Sequence, residues 1–211
     1  MFWQKKKPEP IRLEIDYHSH ILPGVDDGIS TMEDSLRVLK RYEELGITSV
    51  WCTPHVMEDC PNTTEDLKAR FAELQEAYDG PVRLHLAAEY MMDTLFMKRL
   101  AAKDLLTMDG QVLVETSYFN PPVNLDDILD EIKSRGFFPI LAHPERYLYM
   151  DKSDYKRLKA DGIRFQLNIG SLKGVYGRHA LAKATWLYGK SWYDYAGSDL
   201  HRYEMTSLLA D

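Results

Sequence analysis

The strongest constraint on this fold is an alternation of short apolar runs with longer amphipathic ones. Runs rich in β-branched and aromatic residues lie at Ile11–Tyr17, Thr48–Cys52, Val82–Glu89, Gln111–Glu115, Phe138–Ala142, Ile163–Ile169 and Tyr193–Gly197. Between them fall segments with helical spacing of apolar residues: Thr31–Leu45, Thr64–Tyr78, Leu95–Lys103, Leu125–Arg135, Ser153–Ala160 and His179–Tyr188. In the first of these, Leu36, Leu39, Tyr42 and Leu45 share one face and Gly46 ends the pattern. Gly46, Gly136 and Gly162 each stand between a helix and a strand, where C-cap glycines occur. Strands that alternate with helices pair in parallel, with the helices covering the sheet. Seven such strands predict an α/β fold, a closed or nearly closed (β/α) barrel one strand short of the eightfold form. An open, doubly wound sheet is the alternative.

Placed on that rhythm, the unusual polar residues collect at one end. His18 and His20 follow the first strand and His55 the second; Glu89 ends the third and Glu115 the fourth; His143 follows the fifth; Asp199 and His201 follow the seventh. Six of the seven predicted strands therefore carry a histidine or carboxylate at their C-terminal end, the rim on which barrels mount catalytic groups. Solvated charges have no reason to prefer one end of each strand. Residues i and i+2 of an extended chain share a face, so His18 and His20 can grip one ion. Imidazole with carboxylate suits Zn, Mn, Fe or Ni, whereas structural zinc favours thiolates. Five histidines and three carboxylates exceed one four-coordinate ion and suit two or three, with a carboxylate such as Glu89 as bridge. In Gly24-Val-Asp-Asp-Gly28, Asp26 or Asp27 is a further ligand candidate, or both are turn residues. His85 and His179 are assigned to a core strand and a surface helix.

Composition narrows the function. Twenty-six basic against 33 acidic residues leave a formal charge of −7, which excludes the cationic surface that drives nucleic-acid binding. No apolar run is long enough to cross a bilayer. The opening MFWQKKKPEP lacks the apolar core of a secretory signal. Residues 1–10 are expected to form a flexible tail before a single domain over 11–211. Cys52 and Cys60 read as reduced thiols of a cytoplasmic protein. No Gly-x-x-x-x-Gly-Lys-Ser/Thr loop, Gly-x-Ser-x-Gly elbow or Cys-x5-Arg loop is present. A metal-activated water is the nucleophile that remains.

Asp16-Tyr-His-Ser-His-Ile-Leu-Pro-Gly-Val-Asp-Asp-Gly28, Thr53-Pro-His55, Ala88-Glu89, Val114-Glu115, Ala142-His-Pro-Glu-Arg-Tyr147 and Ser198-Asp-Leu-His201 together resemble the PHP (polymerase and histidinol phosphatase) superfamily. Within it they are similar to the bacterial tyrosine-protein phosphatases of capsular and exopolysaccharide operons, the CpsB/YwqE type. The resemblance implies a distorted seven-stranded (β/α)7 barrel with three divalent metal ions, manganese first and iron or zinc as alternatives. It implies His18, His20, Glu89 and Asp199 on one ion, Glu89, Glu115 and His143 on a second, and Asp27, His55 and His201 on a third. It matches Arg146 to the arginine that holds the substrate phosphate and offers Arg202 as a second. The chain ends ten residues after His201, short of the longer tail of relatives. The implied reaction is hydrolysis of phosphotyrosine on a protein, a bacterial tyrosine kinase being the expected partner. A small-molecule phosphatase, such as one acting on histidinol phosphate, and a catalytically silent metal-binding domain are the alternatives. Asp199 or His201 is the candidate proton donor to the leaving group. Tyr118, Phe119 and Tyr147 are candidates for an aromatic wall, with Tyr147 a substrate contact.

Overall fold

A computed structural model describes residues 11–210; the tail expected at residues 1–10 lies outside them. In chain order the elements are β1 (Ile15–Ser19), α1 (Met32–Leu45), β2 (Ser49–Cys52), β3 (His55–Val56), α2 (Thr64–Ala77), β4 (Arg83–Leu86), β5 (Glu89–Met91) and α3 (Thr94–Ala102). Then follow β6 (Gln111–Glu115), α4 (Leu125–Ser134), β7 (Phe138–Ala142), α5 (Lys152–Ala160), β8 (Arg164–Asn168), α6 (Ile169–Leu172), α7 (Gly177–Gly189) and β9 (Tyr195–Gly197). Short 3-10 turns occupy Pro144–Arg146 and Tyr203–Leu208.

The helices form where pattern and cap agree. Thr31 accepts the Asp34 backbone N–H at the start of α1, and Gly46 ends it at φ 76°, a left-handed conformation that suits glycine. α4 buries Leu125, Ile128, Leu129 and Ile132, one face at i, i+3, i+4 and i+7. Burying each such side chain contributes roughly 1.5–3 kcal/mol.

The strand pairs are parallel, in the orders β1-β2-β4 and β3-β5-β6-β7-β8-β9. The chain is an α/β fold with parallel sheets. One of the predicted strands is broken, and another, Thr48–Cys52, is found whole as β2 and resumes beyond a gap. Val82–Glu89 is divided into β4 and β5, and β3 is a continuation of β2 beyond Pro54. Proline has no N–H to give the ladder, which explains the gap. The register survives it: Cys52 stands opposite Leu86 and His55 opposite Glu89. Ala87 N donates to Cys52 O at 2.9 Å and Glu89 N to Pro54 O at 3.0 Å, joining the sheets there. On the other side Asp199 N donates to His18 O at 2.7 Å and His20 N to Leu200 O at 3.0 Å.

Alternation along the strands sorts the two faces. Val112, Val114, Leu141, Phe165 and Leu167 join the large core that includes the buried helix residues. Leu113, Ile140 and Ala142 join a smaller inner cluster with Ala87, Met108, Tyr17, Trp51 and Tyr195. Glu115, Gln166 and Asn168 share this inner parity at the C-terminal ends, and Gln111 and Arg164 share it at the N-terminal ends, so the inner face is apolar in mid-strand and polar at both ends.

Candidate metal centre

β1 brings two imidazoles to the inner space by an irregularity. Its register with β2 shifts between Asp16 and Ser19, and such bulges re-aim side chains. Tyr17 packs on Tyr195 with ring centroids 4.8 Å apart, yet the neighbouring His18 also turns inward. His18 Nε2 lies 3.1 Å from His20 Nε2, 3.2 Å from Glu89 Oε2 and 3.5 Å from Asp199 Oδ1. His20 Nε2 is 3.4 and 3.3 Å from the same two oxygens. All four residues are buried.

Glu89 is the hub. Its Oε2 is also 3.2 Å from His55 Nδ1, and its Oε1 is 3.0 Å from His143 Nε2. Glu115 approaches the same pair, at 3.2 Å from His55 Nδ1 and 3.8 Å from His143 Nε2. Asp27 Oδ1 lies 3.6 Å from His55 Nε2 and 3.4 Å from His201 Nε2. The nine residues expected as ligands thus converge. Three sets have donor atoms within 4.8 Å of one another: His18, His20, Glu89 and Asp199; His55, Glu89 and Glu115; and His20, Asp27, His55 and His201. The first is the set expected for one ion. The others differ from expectation in that His55 stands where His143 was expected and His20 joins the third set. His143 and Asp199 both have left-handed backbones, φ 32° and 51°. For non-glycine residues this costs of order 1–3 kcal/mol, and here it turns two donors into one centre.

The donor set fits divalent cations on three observations. Glu89 Oε2 and His55 Nδ1 are buried and have no hydrogen-bond partner among the described residues, which in a closed interior costs free energy unless a cation satisfies them. Three histidines are held through their second nitrogen: His18 Nδ1 by Gln166 Oε1 at 2.9 Å, His20 Nδ1 by Asp26 Oδ2 at 2.8 Å, His201 Nδ1 by the Asp199 carbonyl at 2.9 Å. Gln166 Oε1 also accepts the His143 N–H at 3.2 Å, which fixes its orientation. In each, Nε2 is left facing the centre, the usual arrangement around a metal-bound imidazole.

Gln166 and Asn168 are contributors that sequence reasoning missed. Asn168 Nδ2 donates to Asp199 Oδ2 at 2.7 Å. Nothing marks an amide in a strand as special except its inner parity next to a ligand. Asp26 has a role distinct from that of Asp27. It accepts the backbone N–H of His55 and of Gly28, both at 3.0 Å, as well as holding His20.

Arg146 leaves the Pro144–Arg146 turn into the same cavity, about 660 Å³ in volume. Its guanidinium lies between the rings of Tyr118, 4.4 Å away, and Tyr176, 4.1 Å away. Nη1 donates to Asp199 Oδ2 at 2.6 Å. Tyr176 was not foreseen. Arg202 is exposed at the cavity rim, and Phe119 projects into solvent.

Two expectations are corrected. Tyr147 is fully buried; its hydroxyl donates to Ala142 O at 2.9 Å and accepts from Thr116 N at 3.3 Å, leaving no face for a substrate. The proton-donor role expected of Asp199 is disfavoured: against the effect of its burial, His18, His20 and His143 hold it well below the usual carboxylate range. His201 is no better placed. Its Nδ1–H is spent on a carbonyl, and burial with His20 alongside lowers its pKa from the ordinary imidazole range. His85 stacks on Trp51 and His179 lies exposed on α7, both outside the cluster.

Without cations, protons balance the centre. Burial opposes charge on His18, but Glu89 and Asp199 override it and raise its pKa to about 9. Because the folded value lies above the unfolded one, near 6.5, this contribution is complete below pH 6.5 and lost as pH rises through about 9. Counted once for the pair with Glu89, it is about 3 kcal/mol. Chelator-treated protein is therefore expected to show a falling urea midpoint from pH 6.5 to 9. A midpoint that holds level across that window would contradict the charge state assigned to His18.

Comparison with known proteins places this geometry. The family model described as capsular polysaccharide synthesis, CpsB/CapC, matches residues 14–207. The chain belongs to this family. Among curated relatives, tyrosine-protein phosphatase YwqE of Bacillus subtilis is 26% identical over 195 residues, spanning 89% of this chain and 77% of the relative. Tyrosine-protein phosphatase CpsB of Streptococcus agalactiae is 26% identical over 181 residues, 79% of this chain and 69% of the relative. A chain from crystal structures of YwqE from Bacillus subtilis and CpsB from Streptococcus pneumoniae, described as metal-dependent tyrosine phosphatases, superposes with a TM-score of 0.83 at 25% identity, covering 92% of this chain and 84% of that one. The lactonase Lmo2620 from Listeria monocytogenes, at TM-score 0.57 and 12% identity over 92% of this chain and 80% of that one, shares the fold alone. The CpsB/CapC membership bears out the resemblance carried by the strand-end motifs.

Proposed function

We propose that this CpsB/CapC chain is a metal-dependent phosphomonoester hydrolase acting on phosphotyrosine in a protein, a bacterial tyrosine kinase being its partner. The names of the relatives support the reaction class. The observation that carries the proposal is the meeting of three donor sets, two of them sharing Glu89 and the third joined to these through His20 and His55, in the cavity that Arg146 lines. In this reading residues 11–211 form one cytoplasmic domain, a distorted seven-stranded barrel in which β2 with β3, and β4 with β5, each count as one interrupted strand.

His18, His20, Glu89 and Asp199 would hold one ion, Glu89, Glu115 and His143 a second, and Asp27, His55 and His201 a third, with manganese the first candidate. Divalent cations there supply an acidified water and positive charge for phosphoryl oxygens. Gln166, Asp26 and Asn168 lock the donors, so little reorganisation is needed at the moment of reaction. Arg146 receives the phosphate: one nitrogen stays on Asp199 and the rest of its planar fork is free to donate to equatorial oxygens. Arg202 at the rim adds a second cationic contact. Tyr118 and Tyr176 fix the plane of the fork from both sides.

Chelation should abolish hydrolysis of p-nitrophenyl phosphate, and added Mn²⁺ should restore it. Phosphotyrosine peptide should be turned over in preference to histidinol phosphate. Full turnover in excess chelator overturns the metal-dependent reading, and preference for histidinol phosphate overturns the protein substrate.

A further inference from the structure

A second concavity, about 1440 Å³, opens between the segment Leu148–Tyr155 and the length of α7. Its walls are largely apolar, with Tyr149, Tyr155 and Trp186 among them, and Ala182 and Gly189 leave α7 low enough to admit a chain. Three lysines border it: Lys152, Lys183 and Lys190. Two carboxylates, Asp151 and Asp154, stand near Lys183, and both are engaged in the capping box at the start of α5, where Asp151 makes two further contacts. Asp151 accepts from Ser153 N at 2.7 Å and Ser153 Oγ at 2.6 Å. Lys152 Nζ lies 5.3 Å above the Trp186 ring. In a chain of net charge −7, this is a cationic groove with an aromatic floor.

The groove neighbours the cavity of the metal centre without sharing a lining residue with it. Leu148 N donates to the carbonyl of Tyr118, which lines that cavity, at 2.8 Å. Tyr149 stacks on Tyr147 with centroids 5.7 Å apart, and Tyr147 in turn meets His143 at 5.7 Å. Leu148 is 51% exposed on the ridge between the two concavities. A polypeptide whose phosphotyrosine enters the cavity can cross this ridge and lie in the groove.

We infer that the groove between Leu148–Tyr155 and α7 is a docking site for an acidic, aromatic-bearing segment of the phosphoprotein substrate, flanking the residue that is hydrolysed. The inference rests on the proposed phosphatase activity for the word substrate. The occupant is set by charge complementarity: lysines at the border select carboxylates, and the aromatic floor selects apolar or ring side chains.

The test uses the full chain with Lys152→Glu and Lys190→Glu combined, neither residue touching the metal centre. With an acidic, Tyr-containing phosphopeptide of about 15 residues, KM should rise roughly five- to tenfold, as expected for two reversed exposed charges. p-Nitrophenyl phosphate hydrolysis should be unchanged, and the difference should shrink at high salt. Equal effects on both substrates, or none on the peptide, overturn the docking site. A binding arm needs no turnover: the same peptide without phosphate, titrated against Trp186 fluorescence, should bind the parent chain and bind the variant more weakly. If turnover fails while this binding holds, the phosphatase reading falls and the groove stands. Tighter binding to anionic phospholipid vesicles than to the peptide, or self-association that the charge reversal abolishes, assigns the groove to a membrane or a second copy and overturns the proposal.

Discussion

Glu89→Gln is expected to lower phosphomonoester hydrolysis more than about 100-fold, since even the loss of an outer partner of a metal ligand costs 10–100-fold. Glu89 touches His18, His20, His55 and His143 with its two oxygens, more histidines than any other carboxylate in the centre reaches. Glutamine keeps the shape and hydrogen-bonding reach but removes the charge. In a cation-loaded protein an anionic donor would become a weak neutral one, and bound metal per chain should fall. In the cation-free protein the same change removes the anion opposite His18, a group whose burial already opposes its charge. The raised His18 value should then relax towards the ordinary imidazole range, and the decline in stability between pH 6.5 and 9 should flatten. Metal content by elemental analysis, turnover, and the pH course of the urea midpoint are three separate readouts. Parent-like metal content and activity in Glu89→Gln would remove Glu89 from the centre of the scheme.

The strand-end rule that located Glu89 was legible because parallel strands between helices put their C-terminal ends on one rim, whatever the details of pairing. The face of α4 was legible for a similar reason: Leu125, Ile128, Leu129 and Ile132 obey a period that solvent enforces. Other features depend on contacts between residues far apart in the chain. The shift of register in β1 sends both Tyr17 and His18 inward, which no local period encodes. Pro54 breaks the strand ladder, but that its register resumes at His55 depends on Glu89 across the gap. Asp26 and Asp27 are alike in sequence; they part because the His55 and Gly28 amides hold Asp26 inside, while Asp27 remains open to solvent beside His55 and His201. Tyr147 was misjudged because its neighbour Arg146 faces the cavity, and the next residue of the turn points into the core. Gln166, Asn168 and Tyr176 stayed hidden since an amide or a tyrosine declares its role only through the partner it reaches.

Arg146→Lys is expected to cut kcat/KM by about 10²–10³, the range for losing one preorganised donor to a transition-state oxyanion, while leaving bound metal unchanged. Lysine preserves the charge near Asp199 but not the planar fork, nor the stacking between Tyr118 and Tyr176. If charge alone mattered, the variant would retain most of its activity. Tyr176 separates positioning from contact. Tyr176→Phe keeps the ring over the guanidinium and loses only the hydroxyl that accepts from Asn168 at 3.2 Å, so it should stay near the parent. Tyr176→Ala frees the fork on one side and should raise KM about tenfold, in line with a partly desolvated cation–π contact. Since Asn168 still holds Asp199 Oδ2 in both variants, metal content should not follow KM. A fall in metal content with Tyr176→Ala would instead mean that the aromatic pair supports the ligands through Asp199, and the arginine would lose its claim to be the group that the two rings position.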